Sequence, residues 1–279
     1  MDNPGTDNGR HTLRDENTVS FRIGAHYDIT CSNTALCDRY YGPHQNKVGV
    51  EAHAKRLIPH ENYRNRSNPN SNHDRYAYNF CLVEIETINL DQIHSNGIRA
   101  EPTTLVKQHA FSLGVQGQHT VNMRCRVAGW GRTEERGLQS PVLRSTKVKI
   151  MSSKFCRKQD LKLYTASSKK YAFCAGGTKR NGDSCFGDSG GPLYCRSKVD
   201  NKWVLYGIVS HGPTKHCGRA GEPGIYSKIK AIVPWIRRYT NGNSYIHSNI
   251  YSYIPYIIYT PCIHVVRNCS FIYFFVYVL

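Results

Sequence analysis

The sequence predicts an all-β domain that is built from antiparallel strands and is large enough for two barrels. Its 279 residues suffice for one such domain. Short runs of Val, Ile, Leu and Tyr between Arg124 and Tyr226 are separated by Gly, which is typical of short antiparallel strands. Eleven cysteines occur without a Cys-x-x-Cys pair, and this favours disulfides in an oxidising compartment over a zinc site.

The N-terminal elements follow in order along the chain. Residues 1–20 are rich in Asn, Asp, Gly and Thr and are expected to form a loop or a non-native start. Apolar runs predict a strand at residues 47–60 and a further strand with its turn from Leu82 to Leu90. The polar stretch from Arg64 to Tyr78 is predicted to be a loop.

Residues 242–279 differ in character from the chain before them. Residues 250–266 contain no Lys, Arg, Asp or Glu, and residues 271–279 are almost wholly apolar. Each run is shorter than the ~20 apolar residues that a membrane-spanning helix needs. A membrane-associated tail and a non-native extension both remain open, and the second is favoured because this segment carries none of the motifs described below.

The chain is strongly basic, with 37 Lys and Arg against 20 Asp and Glu and a net charge of +17. A protein with this charge is drawn to anionic surfaces such as heparin-like glycans, membranes or nucleic acid. The basic residues are scattered, however, and no nucleic-acid-binding signature is present. We therefore expect a solvated basic surface, no specific nucleic-acid partner and no membrane partner.

The most informative stretch is residues 183–192, which read Asp-Ser-Cys-Phe-Gly-Asp-Ser-Gly-Gly-Pro. A serine hydroxyl becomes a strong nucleophile only when a neighbouring base takes its proton, so it has to sit on a fixed, tight turn. Glycines beside it allow that turn and let the backbone approach a substrate carbonyl. The stretch resembles the nucleophile segment of the chymotrypsin/trypsin family of serine endopeptidases.

Independent motifs carry the same resemblance. Residues 128–131 (Ala-Gly-Trp-Gly), 209–212 (Val-Ser-His-Gly) and 223–226 (Pro-Gly-Ile-Tyr) are similar to family motifs, although His211 replaces the usual Trp. Residues 234–236 (Pro-Trp-Ile) sit where the closing helix of the family begins. Together these motifs extend the resemblance over most of the chain.

The resemblance implies a trypsin-like double antiparallel β-barrel over residues 21–241, with the first barrel incomplete and a short C-terminal helix. Residues 21–24 (Phe-Arg-Ile-Gly) resemble a Val-Arg-Leu-Gly strand of the first barrel. A short loop between Cys31 and Cys37 is most similar to the catalytic domain of arthropod clip-domain proteases. Cys81 lies in an apolar run and is expected to be a small buried hydrophobe. The disulfides that the family pattern implies are Cys125–Cys195, Cys156–Cys174 and Cys185–Cys217, with Cys31–Cys37 as a fourth.

The resemblance also assigns the catalytic roles. Ser189 is the expected nucleophile, and the backbone amides of Gly187 and Ser189 are the expected oxyanion hole. The general base should lie in a Thr-Ala-Ala-His-Cys segment ahead of Phe21, and no such segment occurs. Either the chain starts downstream of the true His, which we favour, or His11 acts as the base.

Asn79 occupies the position of the triad Asp, because residues 79–85 read Asn-Phe-Cys-Leu-Val-Glu-Ile where the family has Asp-Ile-Ala-Leu-Val-Glu-Leu. An amide can hold an imidazole in the wrong tautomer and cannot offset its positive charge. In a member of that family the Asp→Asn change lowers turnover about 10⁴-fold. Asp74, presented by an irregular loop, is the weaker alternative.

Three further departures concern activation and binding. The family pairs a freed N-terminal ammonium with the acid at Asp188, and no Ile-Val-Gly-Gly segment supplies one here. We therefore expect Asp188 to turn elsewhere and the oxyanion hole to collapse. Thr104 replaces a cysteine that would tether an upstream domain. Ala25 replaces a common calcium-ligating Glu, so no calcium site, other metal or cofactor is expected.

The specificity pocket, by contrast, matches the trypsin pattern. Asp183 lies six residues before Ser189, where trypsin-like members place the acid that receives Arg or Lys. Gly212 and Gly224 match the two small wall residues, and Ser210 lies on the same substrate-binding strand. The resemblance thus implies protein or peptide substrates with Arg or Lys.

Three functions remain open at this point. The first is a trypsin-like endopeptidase that is inactive as this chain stands. The second is a non-catalytic serine-protease homologue that binds partners in an extracellular proteolytic cascade, and the third is a basic protein anchored by its apolar tail. Cysteine content and family resemblance indicate an extracellular location, yet residues 1–7 are polar and lack a secretory signal. We accordingly expect the chain to lack its beginning.

Overall fold

The computed structural model describes residues 20–23, 50–63, 78–86, 123–158, 170–177, 182–196, 201, 203–213, 216–219, 221–239 and 256–259. Strands far outnumber helices among these residues, as predicted. The strands are β1 (Ser20–Ile23), β2 (Val50–Pro59), β3 (Cys81–Ile85), β4 (Arg124–Gly129), β5 (Arg144–Ile150), β6 (Ala172–Gly176), β7 (Pro192–Arg196), β8 (Trp203–His211), β9 (Gly224–Lys228) and β10 (Tyr256–Tyr259). The helices are α1 (Ser153–Lys158) and α2 (Ile229–Tyr239).

A four-stranded antiparallel sheet has the order β1–β2–β3–β10. In β2, the buried side chains of Ala52 and Ala54 alternate with exposed neighbours, because successive residues of a strand point to opposite faces. A bulge between Ala54 and Arg56 interrupts the alternation, and Leu57 and Ile58 beyond it are both buried. The predicted strands at 21–24, 47–60 and 82–90 are thus confirmed over their described residues, as β1, β2 and β3.

The remaining strands close into a six-stranded antiparallel barrel, in the order β4–β5–β6–β9–β8–β7. Its interior is filled by apolar side chains, and β8 contributes an unbroken buried run from Val204 to Ser210. The same core cluster contains Ile58, Phe80 and Leu82 of the four-stranded sheet and the inner face of α2. One apolar core therefore joins the sheet, the barrel and the C-terminal helix.

Helix α2 begins earlier than the sequence motif indicated. The Pro-Trp-Ile motif was expected at the start of the helix, but α2 begins at Ile229 and Pro234 lies inside it. Pro234 is exposed, whereas Ile232, Val233 and Trp235 are buried against the core. Burial of this apolar face outweighs the backbone hydrogen bond that a proline inside a helix removes.

The cysteine framework agrees with the family pattern. Disulfides join Cys125 to Cys195, Cys156 to Cys174, and Cys185 to Cys217, so these three predictions are confirmed. Cys81 is a buried thiol with 1% exposure and packs as a small hydrophobe, as expected. The predicted Cys31–Cys37 pair lies outside the described residues, as do Ala25 and Thr104.

The tail contributes a strand that was not predicted. Within residues 242–279 the structure describes β10, which pairs antiparallel with β3 so that Tyr256 lies opposite Glu84 and Tyr259 opposite Cys81. Within the described part of the chain, no helix is long and apolar enough to span a bilayer.

Candidate active site

A tight turn carries Ser189. The Asp188 amide donates to the Cys185 carbonyl at 3.0 Å, and Gly187 has a φ of +98°. A positive φ at the third residue is the mark of a type II turn and favours glycine there. A second bond, from the Gly191 amide to the Asp188 carbonyl at 2.8 Å, folds the chain around Ser189.

Strand β8 holds this turn in place. The Gly190 amide donates to the Val209 carbonyl, and the Val209 amide donates to the Gly191 carbonyl, both at 2.9 Å. Ser189 is therefore fixed beside the strand that carries Ser210, which is buried and 6% exposed. The Ser210 hydroxyl lies 3.0 Å from Nδ1 of His211, so the residue that replaces the usual Trp is oriented by its neighbour.

The reactive groups of the turn remain available. Across the described segments, the amides of Gly187 and Ser189 donate to no acceptor, and Ser189 Oγ makes no hydrogen bond. Two backbone N–H groups beside a serine hydroxyl are the donors that an oxyanion requires. A base bonded to Ser189 Oγ, which the hydroxyl would need to become a nucleophile, is not found among these residues.

Asp188 turns to partners other than an ammonium, as expected. The residue is half-buried, and Oδ1 accepts from the Gly131 amide and Oδ2 from the Cys185 amide, both at 2.8 Å. Burial raises the pKa of Asp188, while these two amides lower it. With both oxygens bound, the carboxylate holds the turn from inside. The collapse of the oxyanion hole stays a prediction.

Glycine is required where this carboxylate sits. A Cβ added at Gly131 would lie 2.5 Å from Asp188 Cγ, and one at Gly129 would overlap Asp188 Oδ1. Real Cβ atoms do not approach other atoms this closely, so either substitution has to displace the carboxylate. The Ala-Gly-Trp-Gly motif therefore has a direct physical purpose, which is to leave space for Asp188.

A cavity of about 290 Å³ opens beside the two acids. It is lined by backbone and side chains of β4, β5 and the loop after β4, and both Asp183 and Asp188 reach it. Arg132 and Arg144 line the same space and supply positive charge near the buried carboxylates.

Asp183 is held by four hydrogen-bond donors. Its Oδ1 accepts from the Ser184 amide at 2.7 Å, from the Tyr226 hydroxyl at 2.9 Å and from the Ser184 hydroxyl at 3.5 Å, and its Oδ2 accepts from the Gly224 amide at 2.8 Å. Burial nevertheless dominates and raises the pKa of Asp183 to about 7. A carboxylate that is this strongly desolvated gains much from a bound cation.

The walls above Asp183 are made of glycine. A Cβ added at Gly212 would lie 3.8 Å from the Cα of Gly224, so the two residues face each other across a narrow gap. A Cβ at Gly224 would lie 3.3 Å from Asp183 Oδ1. The Cys185–Cys217 disulfide links the Ser189 turn to the segment that follows β8. Glycine at both positions keeps side-chain atoms out of the space between these two walls.

Asn79 lies at the centre of a three-residue turn that leads into β3. The Phe80 amide donates to the Tyr78 carbonyl at 2.7 Å, and Tyr78 has a φ of +53°, which a bulky residue rarely adopts. Asn79 is buried, with 1% exposure, so its side chain has a fixed environment. The alternative acids and bases, Asp74 and His11, lie outside the described residues.

His60 was not singled out from the sequence, yet it supports this turn. Its ring stacks on Tyr78 at 4.7 Å and lies 4.9 Å from the ring of Trp235. Burial lowers the pKa of His60, and its Nδ1 accepts from the Asn62 amide at 3.1 Å. This neutral, packed imidazole is structural, and its sequence signal was the Ile-Pro-His-Glu-Asn-Tyr run at the end of β2.

Comparison with known families gives one extended match. A model described as Trypsin matches residues 40–236, which contain the Ser189 turn and the Asp183 pocket. Among solved structures, the chain is similar to neuropsin, described as a serine protease expressed in the limbic system of mouse brain. That likeness has a TM-score of 0.54 and 26% identity and covers 78% of this chain and 77% of that one.

Curated relatives match over a shorter part. Transmembrane protease serine 7 of Mus musculus is 42% identical over 117 residues, which are 42% of this chain and 13% of that protein. Ovochymase of Halocynthia roretzi is 37% identical over 116 residues, or 41% of this chain and 7% of that protein. The matched part of the chain therefore spans 13% or less of these relatives.

Proposed function

Because the chain belongs to the trypsin family of serine proteases, we propose that its Asp183 pocket binds the Arg or Lys side chain of a protein substrate. The same turn presents Ser189 and the oxyanion-hole amides to the scissile bond. In this chain the site binds such peptides without cleaving them measurably. By resemblance to the family, the catalytic positions are Ser189, Gly187 and Asn79. The substrate-binding positions are Asp183, Ser210, Gly212 and Gly224.

The observation that carries the proposal is the position of Asp183. It is a desolvated carboxylate that lies 3.3 Å from the point where a Cβ on Gly224 would stand, with Gly212 opposite. An unpaired buried charge is costly, and a guanidinium or ammonium that enters the gap offsets that cost with a charge-assisted hydrogen bond. The pocket therefore favours a long cationic side chain over an apolar one.

Two features support the absence of cleavage. Within the described ranges no base is bonded to Ser189 Oγ, and the triad position that should orient a base holds Asn79. Without a base the serine hydroxyl remains protonated and is a poor nucleophile. Binding energy from the pocket then lowers the free energy of the bound peptide but not the barrier to its hydrolysis.

A second candidate function follows from Asn79. A protein that binds substrate-like segments without cutting them can act as a non-catalytic homologue, which holds a partner in an extracellular protease cascade. Retention of Ser189 and Asp183 favours a protease ancestry for the site, whereas Asn79 favours this binding role. The two candidates share the pocket and differ only in turnover.

Location and partners follow from the disulfide framework. Three disulfides persist only in an oxidising compartment, so we propose an extracellular or membrane-associated protein with protein substrates. The net charge of +17 adds a general attraction to anionic glycans or lipid surfaces, but it specifies no particular partner.

The test is the binding of p-aminobenzamidine, a fluorescent aryl amidine that carries one cation. Titration of the full chain at pH 8 should give saturable binding, and Asp183→Asn should weaken it at least tenfold. Asn keeps the size of the side chain but removes the charge, so the loss measures the carboxylate. Glu134→Gln, which changes an exposed acid outside the pocket, is the matched control and should bind as the parent does.

Two results would overturn the proposal. Equal affinity of the parent chain and Asp183→Asn would mean that the amidine binds elsewhere or without the carboxylate. Tighter binding of neutral aminotoluene than of the amidine would mean that the pocket selects apolar groups. Circular dichroism of each variant distinguishes these outcomes from loss of the fold.

A further inference from the structure

The edge of β3 is the unusual feature of the four-stranded sheet. β3 is buried along nearly its whole length, with 0–1% exposure at Cys81, Leu82, Val83 and Ile85. A buried strand has to pair its backbone N–H and C=O groups on both sides, because an unpaired buried group costs as much as a lost hydrogen bond. β2 satisfies one side of β3, and β10 satisfies the other.

The β10 segment lies outside the part of the chain that matches the trypsin family. The match ends at residue 236, and β10 begins 20 residues later at Tyr256. Its sequence, Tyr-Ile-Ile-Tyr, consists of residues that favour strands. Pro255 precedes the strand and Pro261 follows it closely, and proline is found at strand ends because it cannot donate to a ladder.

The path from α2 to β10 favours pairing within one chain. The end of α2 is anchored beside the end of β2, because Arg238 pairs with Glu61 and Trp235 packs on His60. Sixteen residues lie between Tyr239 and Tyr256, and the 17 Cα-to-Cα steps of an extended chain reach roughly 55–60 Å. This reach is ample for the tail to return from the end of β2 to the neighbouring strand β3.

We propose that the segment between Pro255 and Pro261 is an intramolecular closing strand, which occupies the open edge of β3 and keeps a second copy of this chain from pairing there. An apolar strand with a free edge is a template for association with another chain. The four-residue ladder from Tyr256↔Glu84 to Tyr259↔Cys81 removes that template. This inference is independent of the proposed function, since neither Asp183 nor Ser189 takes part.

The ladder itself supplies a matched pair of variants. In an antiparallel ladder, adjacent residues point their N–H groups alternately toward the partner strand and away from it. Of Ile257 and Ile258, one therefore donates to β3 and the other does not. Proline at the donating position removes a ladder bond, while proline at the other position is tolerated as on any edge strand.

The experiment measures amide hydrogen exchange and molecular mass for the full chain, Ile257→Pro and Ile258→Pro. Ser270→Pro, outside β10, controls for a proline in the tail. We expect one of the two strand variants to raise exchange in residues 82–85 about tenfold or more and to form dimers as its concentration rises. The other variant and Ser270→Pro should remain monomeric with parental exchange, and amides of β8 should stay protected throughout.

Contrary results are equally specific. Parental exchange and mass in both strand variants would overturn the proposal, and so would faster exchange in residues 82–85 without association. If a variant also loses protection in β8, its whole fold is disturbed, and amide exchange in the unmodified chain then tests the proposal. Alternating slow and fast amides across residues 256–259 support the closing strand, whereas uniformly fast exchange there overturns it.

Discussion

The Gly224 amide donates a 2.8 Å hydrogen bond to Asp183 Oδ2 and so joins the floor of the candidate pocket to one of its walls. Because this bond is made by the backbone, it constrains β9 directly. Tyr226, on the same strand, donates its hydroxyl to Oδ1 from below. One strand therefore positions the acid and also limits what can reach it.

The pH dependence of cation binding should follow Asp183. Burial raises its pKa to about 7 in the free protein, so the group is largely protonated below that pH and is charged above it. A bound amidinium requires the charged form and holds it ionised. The affinity for p-aminobenzamidine should therefore fall about tenfold for each pH unit below 7 and level off above it.

Binding isotherms between pH 5.5 and 8.5 test this expectation. Asp183→Asn should bind weakly at every pH, whereas His216→Gln should keep the parental profile, although His216 lies 3.2 Å from Glu222 near the pocket. A parental affinity that does not change across this range would contradict the assignment of the titration to Asp183.

The two wall glycines should respond differently to alanine. A methyl group at Gly224 would lie 3.2 Å from Ser184 Oγ and 3.3 Å from Asp183 Oδ1, which is tighter than normal contact. At Gly212 the nearest atom would be 3.8 Å away, an ordinary contact. Both variants should lose amidine affinity about tenfold because each narrows the gap. Only Gly224→Ala should also lose stability, by about 1 kcal/mol.

Urea unfolding and amidine titration of the two variants separate these effects. Neither glycine has a positive φ, so backbone strain does not distinguish them. Equal urea midpoints for the two variants would show that β9 yields to the added methyl group. Unchanged affinity in Gly212→Ala would show that the ligand does not enter between the walls.

Much of the barrel could be predicted because its motifs contain residues that the local backbone geometry requires. The turn at Ser189 requires Gly187, because its φ of +98° is unfavourable for residues with a side chain. A glycine required in this way can be recognised in the sequence. The three described disulfides follow the pairing that the family resemblance implies. These features depend on residues close in sequence or on a shared family pattern.

Other features depend on packing between residues that are far apart in sequence, and no local sequence pattern predicts such packing. The stacking of His60 between Tyr78 and Trp235 joins parts of the chain that are far apart in sequence. The early start of α2 reflects burial of Ile229 and Ile232, which overrides the signal of Pro234. β10 was missed because an apolar Tyr-Ile-Ile-Tyr run does not specify which strand edge it will join.

Gly129 and Asp188 should be energetically coupled. A side chain at Gly129 would overlap Asp188 Oδ1, so Gly129→Ala should push the carboxylate off the Gly131 amide. The buried acid then loses a hydrogen bond, and we expect a loss of about 2–4 kcal/mol in the free energy of unfolding. In an Asp188→Ala background the overlap is absent, and Gly129→Ala should cost less than about 1 kcal/mol.

A double-mutant cycle by urea denaturation measures this coupling. The difference between the two backgrounds should be about 1–3 kcal/mol, which is typical of residues in direct contact. Additive effects of the two substitutions would mean that the carboxylate can move aside without cost. Gly137→Ala, beside the exposed Glu134, is the control glycine and should not couple to Asp188.

Turnover is the final expectation, and it concerns Ser189 and Asn79 together. Among the described residues no base is bonded to Ser189 Oγ, and Asn79 cannot offset the charge of an imidazolium. Nucleophile and base act as a unit, so loss of the base removes most of the benefit of the nucleophile.

The full chain and Ser189→Ala should hydrolyse an Arg-amide substrate at indistinguishable rates. Asn79→Asp alone should not raise the rate, because an orienting acid needs a base to orient. Hydrolysis that exceeds the Ser189→Ala control would show that a histidine elsewhere serves Ser189, with His11 the first to substitute.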